Sequence, residues 1–517
     1  MRVLVAEWRP VEAGHLQQAM RLTNEAFAEK LGAAPRTIAK WHANPAMRLT
    51  LEMQQALDTM LELAGDDVQQ RFAELRGAGA EAAVYGRSER WRRRLEADRH
   101  LACALEWLDG IRQEPSGTSR RDVEALLSGG GADRVRERAR TRGVVSRERA
   151  AQVVREFYGN PPAGYGMVSV DCGAARHVTT MLSRKEWLAS QLNLRGHAAA
   201  FQLVHGRAPA VLPTTPAFAG AAVQRIAEIL VGRTRFVDAP VYRLLRPPQD
   251  EASAGTTFAV DSFARYALAW DVLEAEVADH AAGLTDGLPL REALLPSVES
   301  VLEPAARICV GGVQALSAFA RPGVGGRAGD FLLLIQERSP RVVNATGRLA
   351  VIPKCFHQPI NDVAGDVGVG STLLRELEEE LFGRGELDVG SSGAAADPMH
   401  PSRLSEPMRW LRESTEWDLQ MTGFGYNLMS GNYEFASVMT VHDEAFWASH
   451  GGAVQANWEA ARLRAFSSLD QDGLAALFNE PVWSDEGLVA FALGLRRLAE
   501  LSPERVTLPP LEIGVET

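Results

Sequence analysis

Between Leu22 and Trp41 the apolar residues fall on helical spacing in two short runs. Phe27 and Leu31 share one helix face, Thr23 or Asn24 stands where a helix is capped, and Glu25 complements its amino end. Gly32 follows where a helix prefers to stop, and Pro35 suits the first turn of a second helix. On that second helix Ile38 and Trp41 face inward, which leaves Arg36, Thr37 and Lys40 outward. A bracing helix is expected over Gly14 to Leu22. Pro45 breaks the chain after Trp41, and Thr50 can cap a further helix with the stripe Met53, Leu57, Met60 and Leu61. Residues 1–75 therefore read as an all-α domain.

The texture changes after that. Residues 76–150 carry a stripe of Trp91, Leu95, Leu101, Leu105 and Leu108 among many arginines, from Arg90 through Arg142. They read as an arginine-rich helical linker whose cations pair with nearby acids or add phosphate contacts. Residues 151–300 read as mixed α and β. MVSVDCG and VTTML are strands, a helix lies near Glu186 to Leu192, and a longer helical stretch runs from Thr257 to His280 on Phe263, Tyr266, Trp270 and Leu273. Residues 301–510 hold the strands FLLLIQER and GRLAVIP, the helix STLLRELEEELFG with Leu373, Leu377 and Leu381 inward, and a strand pair in GFGYNLMSG and YEFASVMTV. Gly311 and Gly312 read as breaks in a helical region, and LPPLEIGVET reads as a loose tail. The fold class is multidomain α+β.

Composition narrows the partners. At 517 residues the chain exceeds one core. A net charge of -11 argues against nucleic-acid binding along the whole chain but leaves room for one local basic face. Cys103, Cys172, Cys309 and Cys355 lie far apart without metal-ligand spacing, which fits a reduced, cytoplasmic setting. No secretory leader and no membrane-spanning run are predicted.

The pattern of Phe27, Ala28, Leu31 and Gly32, then Arg36, Thr37, Ile38 and Trp41, resembles the lambda-repressor-like (Xre-type) helix-turn-helix family over residues 12–65. One departure is Ala34, where that family often has a capping serine. The resemblance implies double-stranded DNA as partner, with Arg36, Thr37 and Lys40 meeting base edges or phosphates and Arg36 placed for guanine. It also implies a homodimer.

A second pattern lies in the carboxyl region. Glu376, Glu379 and Glu380, at i, i+3 and i+4, put three carboxylates on one helix face, a geometry for Mg²⁺. The run Arg375 to Glu380 resembles the heart of a Nudix box, and the strand–loop–helix order from Phe331 to Gly383 is similar to the Nudix fold, an α/β/α domain. The motif departs at Val367, where a glutamate is expected, at Asn361, where a glycine is expected, and at Gly383, where the glycine comes one residue late. That implies a Nudix-like domain kept as a sensor of a small molecule, such as a nucleotide. Cys355 and His357 lie two apart without a recognisable orienting acid, and no catalytic residue is assigned. The leading expectation is a bacterial transcriptional regulator with a ligand-sensing carboxyl domain. The alternatives are a Mg²⁺-dependent hydrolase of a nucleoside diphosphate derivative and a protein-binding adaptor.

Overall fold

The computed structural model describes residues 8–43, 47, 49–75, 91–195, 200–204, 210, 212, 215–232, 234–249, 255–326, 328–339, 347–360, 362–382, 399–451, 454 and 460–516. The expected break at Pro45, Arg90 of the basic stretch, and the motif positions Asn361 and Gly383 lie outside these residues. The chain divides into two units, Met1–Asp98 and Arg99–Thr517.

The first unit is helical: α1 (Pro10–Ala19), α2 (Asn24–Leu31), α3 (Pro35–Ala43), α4 (Leu51–Leu63) and α5 (Asp66–Leu75). The bracing helix α1 starts four residues earlier than its apolar pattern indicates, because Pro10 sits at its first turn and Glu12 closes a capping box on Arg9. Thr23 Oγ accepts from the Ala26 amide to start α2, and Thr50 Oγ does the same for Met53 in α4. The inward faces meet in one core of Leu16, Phe27, Leu31, Ile38, Trp41, Leu57 and Phe72, each buried. Each large side chain there contributes on the order of 2 kcal/mol by leaving water. Trp8 stacks on Phe72 at 5.7 Å and donates its indole N–H to Asp58.

The second unit is mixed α/β and contains two sheets. Its larger sheet runs β12 (Ala460–Ser467), β7 (Asp330–Arg338), β6 (Gly311–Arg321), β11 (Asn432–Val441), β10 (Trp417–Asn427), β2 (Ala175–Ser183), β1 (Gly166–Cys172), β13 (Leu511–Glu516). β8 (Leu349–Val351) adds to β7, and β9 (Lys354–Phe356) adds to β6. Among the described residues only β6 and β11 pair in parallel within it. A helix buried over its first three turns, Asp485–Leu501, crosses one face and packs Leu488, Phe491 and Leu495 onto Leu316, Ala318 and Val438. The smaller sheet is β3 (Phe201–Leu203), β5 (Thr256–Ser262), β4 (Pro240–Arg246).

Several expectations change here. Segments 151–300 and 301–510 are not separate bodies, because β2 pairs with β10 and β1 pairs with β13 across the expected boundary. The residues of LPPLEIGVET are not a loose tail: Leu511–Glu516 form an edge strand in register with Cys172 to Met167. Thr257–Ser262 are strand rather than helix, and the helices begin at Phe263 and Val272. Gly311 and Gly312 likewise open β6. Much of the arginine-rich stretch belongs to this unit as well. Arg138 and Arg142 both clamp Asp279 (2.7 and 2.6 Å), and Arg142 also reaches Glu228. Burial pulls the Asp279 carboxyl up, but the two guanidinium groups outweigh it and hold it below the usual range. Among the described residues no helix is long and apolar enough to cross a membrane.

Candidate functional site

In the first unit, the end of α2 fixes the direction of α3. Gly32 takes a left-handed backbone (φ 65°), the Ala33 amide donates back to Ala28 O at 2.8 Å, and the Gly32 amide donates to Glu29 O at 3.1 Å. These two bonds are a Schellman turn, and the positive φ is the reason a glycine stands there. α3 then leaves without a side-chain cap, since Ala34 has none to give; the Thr37 amide donates to the Ala34 carbonyl instead. Gln17 on α1 compensates. Its amide N–H groups donate to Leu22 O (3.2 Å) and Asn24 Oδ1 (2.8 Å), and its Oε1 lies 2.9 Å from His42 Nε2. One buried side chain thus ties α1, the start of α2 and the end of α3.

The outer face of α3 presents Arg36, Ala39 and Lys40, all exposed; Thr37 is half-buried at its margin. Neither Arg36 nor Lys40 has an ion-pair partner among the described residues. Residues 1–75 hold eight lysines and arginines against ten aspartates and glutamates. The positive character is therefore a property of this face and not of the whole unit.

The glutamates of the second unit are arranged differently from the expected metal face. Their helix, Val369–Leu381, buries Leu373, Leu377 and Leu381 as the pattern requires, but it buries the opposite side too. Glu376 pairs with Arg375 at 2.9 Å, and Arg375 donates to the Gln358 carbonyl. Glu379 adds to the negative field around the same guanidinium. Glu380 accepts the Lys354 amide at 3.1 Å, while Arg338 donates to the Lys354 carbonyl at 3.0 Å. Glu380 and Arg338 so satisfy the outer backbone edge of β9, where a further strand would otherwise pair. Glu378 accepts from both the amide and the hydroxyl of Ser405, the cap of helix Glu406–Glu413. Glu376, Glu379 and Glu380 therefore do not converge on a Mg²⁺ ion, and among the described residues no three His, Cys, Asp or Glu side chains are disposed to hold a metal. These residues do not fit the Mg²⁺ site that the Nudix resemblance implies.

Among the described residues no carboxylate orients His357 for a charge relay with Cys355. His357 is fully buried against Tyr242, with ring centroids 4.5 Å apart, and its Nδ1 lies 3.2 Å from the Tyr433 hydroxyl. Burial, reinforced by Arg375, pushes its pKa down to about 3, so the ring is neutral at physiological pH.

A cluster that sequence reasoning missed lies at the amino end of helix Asp485–Leu501. Lys354 pairs with Glu486, which also accepts from Asn427 at 3.4 Å; Gln314 donates to the Glu486 carbonyl at 3.2 Å. Glu434, on β11, lies over Gly312, where an added Cβ would meet its carboxylate oxygen at 2.6 Å. That oxygen is sealed from solvent and has no hydrogen-bond partner among the described residues. Burial, aided by Glu486 and Glu274 and opposed by Lys354, pushes the Glu434 carboxyl up to about 8. Burial, with Asp271 and Glu486, pushes Glu274 up to about 7. Burial also works against Glu486, but Lys354 outweighs it and keeps that carboxylate low. Two carboxyls of the cluster are thus held well above the ordinary carboxylate range. Its sequence signal is slight: one lysine and one glutamate, each alone in an apolar strand.

No protein-family model matches the chain, and no curated protein matches it.

Proposed function

We propose that the chain is a sequence-specific DNA-binding transcriptional regulator. Residues 8–75 act as a helix-turn-helix module of the lambda-repressor-like kind, and the larger mixed α/β unit acts as its ligand-responsive body. The observation that carries this reading is the outer face of α3. Arg36 and Lys40 stand exposed and, among the described residues, without ion-pair partners, one turn apart, on a helix whose inner face is locked by Ile38, Trp41 and the Gln17–His42 bond. A rigid helix with an unpaired basic face is what a major groove admits. Arg36 takes the base-reading role, bidentate on guanine, and Lys40 takes a phosphate. Two copies of such a module would meet half-sites about 34 Å apart. The hydrolase alternative draws no support from the glutamate helix, whose carboxylates are occupied as interior hydrogen-bond acceptors and ion-pair partners.

The test is recovery of bound genomic DNA fragments with the parent protein and with Arg36→Ala, Lys40→Ala. A shared sequence is expected with the parent and is expected to vanish with the double variant. On a synthetic copy of that sequence the single Arg36→Ala change is expected to cost about 1–3 kcal/mol, and Lys40→Ala to lower the salt dependence by about one counterion. Equal enrichment with both proteins, or none with either, overturns the proposal.

A further inference from the structure

A cavity of about 330 Å³ lies in the second unit, away from the buried carboxylate cluster. Helix Val369–Leu381 forms one wall, helix Glu406–Glu413 another, and the loop around Asp366 and the start of β10 complete it. Most of its surface is apolar: Ile360, Leu374, Met399, Met408, Leu411 and Trp417. Two methionines give such a wall the freedom to adapt to shape. Trp417 is fixed in place, with its indole N–H on the Leu411 carbonyl and the Arg195 guanidinium 4.0 Å from the centre of its ring. Volume and lining match small-molecule sites, which are concave and mainly apolar with a few placed polar groups.

The polar groups decide what kind of molecule enters. Arg375 is buried, and its charge is already met by Glu376 at 2.9 Å. Arg412 donates to the Met399 carbonyl, and Asp366 accepts the Ile360 amide at 3.0 Å. Arg375 is met by Glu376, and Arg412 and Asp366 bring one charge of each sign to the lining. An ion brought inside would lose its hydration without an unmatched counter-charge to receive it. The Ser371 hydroxyl, an exposed donor and acceptor at the helix's first turn, remains for a single neutral polar group.

We infer that this cavity binds a neutral, mainly apolar small molecule with one hydrogen-bonding group, and that it is the effector site of the larger unit. Its role as an effector site rests on the regulator reading above; the binding itself does not.

The test uses the full chain and a neutral aromatic fluorescent probe, N-phenyl-1-naphthylamine, in the absence of DNA. Saturable binding at one probe per chain is expected. Leu374→Trp and, separately, Met399→Phe fill the cavity and are each expected to weaken binding by about tenfold or more, a change of about 1.4 kcal/mol. Leu374 is only half-buried, so the larger side chain leaves the fold intact, which the thermal transition checks. The anionic relative, 8-anilino-1-naphthalenesulfonate, is expected to bind about tenfold more weakly than the neutral probe. Unsaturable binding, or binding that both filled variants leave unchanged, overturns the site. Tighter binding of the sulfonate overturns the neutral ligand. Since no DNA is present, these outcomes are independent of whether the first unit reads DNA.

Discussion

Glu434 shows how one carboxyl can set the pH response of a domain. Its folded pKa, about 8, lies above that of a carboxyl in the unfolded chain, so the folded state holds a proton that the unfolded state releases. Stability from this group is complete below the ordinary carboxyl range and is lost as pH rises towards 8. Glu434→Gln keeps the shape and removes the titration. We expect the variant to melt a few degrees above the parent at pH 8.5, with the difference closing towards pH 5 in paired thermal scans. A constant difference across that range would place the effect outside this proton. Glu274, pushed up to about 7 by burial and its acidic neighbours, adds a slope of the same sign in a lower window. Neither residue is legible in the sequence, because what raises their pKa is burial together with Glu486, which a distant segment brings in.

The helices and strands were legible where their own side chains decide them. Phe27, Leu31, Ile38 and Trp41 mark α2 and α3, and the alternating strands β10 and β11 announce their hairpin. Reading fails where a neighbour decides. Phe263, Tyr266, Trp270 and Leu273 carry helical spacing, and it extends wrongly back to Thr257 because nothing local records that Thr256–Ser262 pairs with β4. The glutamate helix is the sharper case. Glutamates opposite Leu373 and Leu377 read as an open face for a metal, but helix Glu406–Glu413 and the edge of β9 cover them. Glu378 is the link between two helices through both polar groups of Ser405. Glu378→Ala is expected to destabilise the second unit by about 2–4 kcal/mol, since the capping serine loses a charge-assisted acceptor and its amide is left unmet. Chemical denaturation measures this. A loss below about 0.5 kcal/mol would show that water replaces the carboxylate. Glu378→Gln, which retains one acceptor, should lose less.

At the scale of the molecule, the larger unit is organised by pairings between remote segments. β1 and β2 lie near the start of it, and their partners β13 and β10 lie near its end. We expect residues 99–300 and 301–517, produced separately, to lack a cooperative thermal transition, and 99–517 to show one. A sharp transition in either half would mean that the sheet divides after all. The division expected at residue 300 fails for the same reason: a composition shift marks where a chain changes texture and carries no information on which strands it will meet. β13 adds a consequence for the order of events during synthesis. On a ribosome the hairpin of β1 and β2 emerges with both of its outer edges bare, and the strands that cover them, β10 and β13, are made only much later. The unit must shelter two open edges through much of its own translation, so its yield in a cell should depend on how quickly the ribosome delivers β10 and β13.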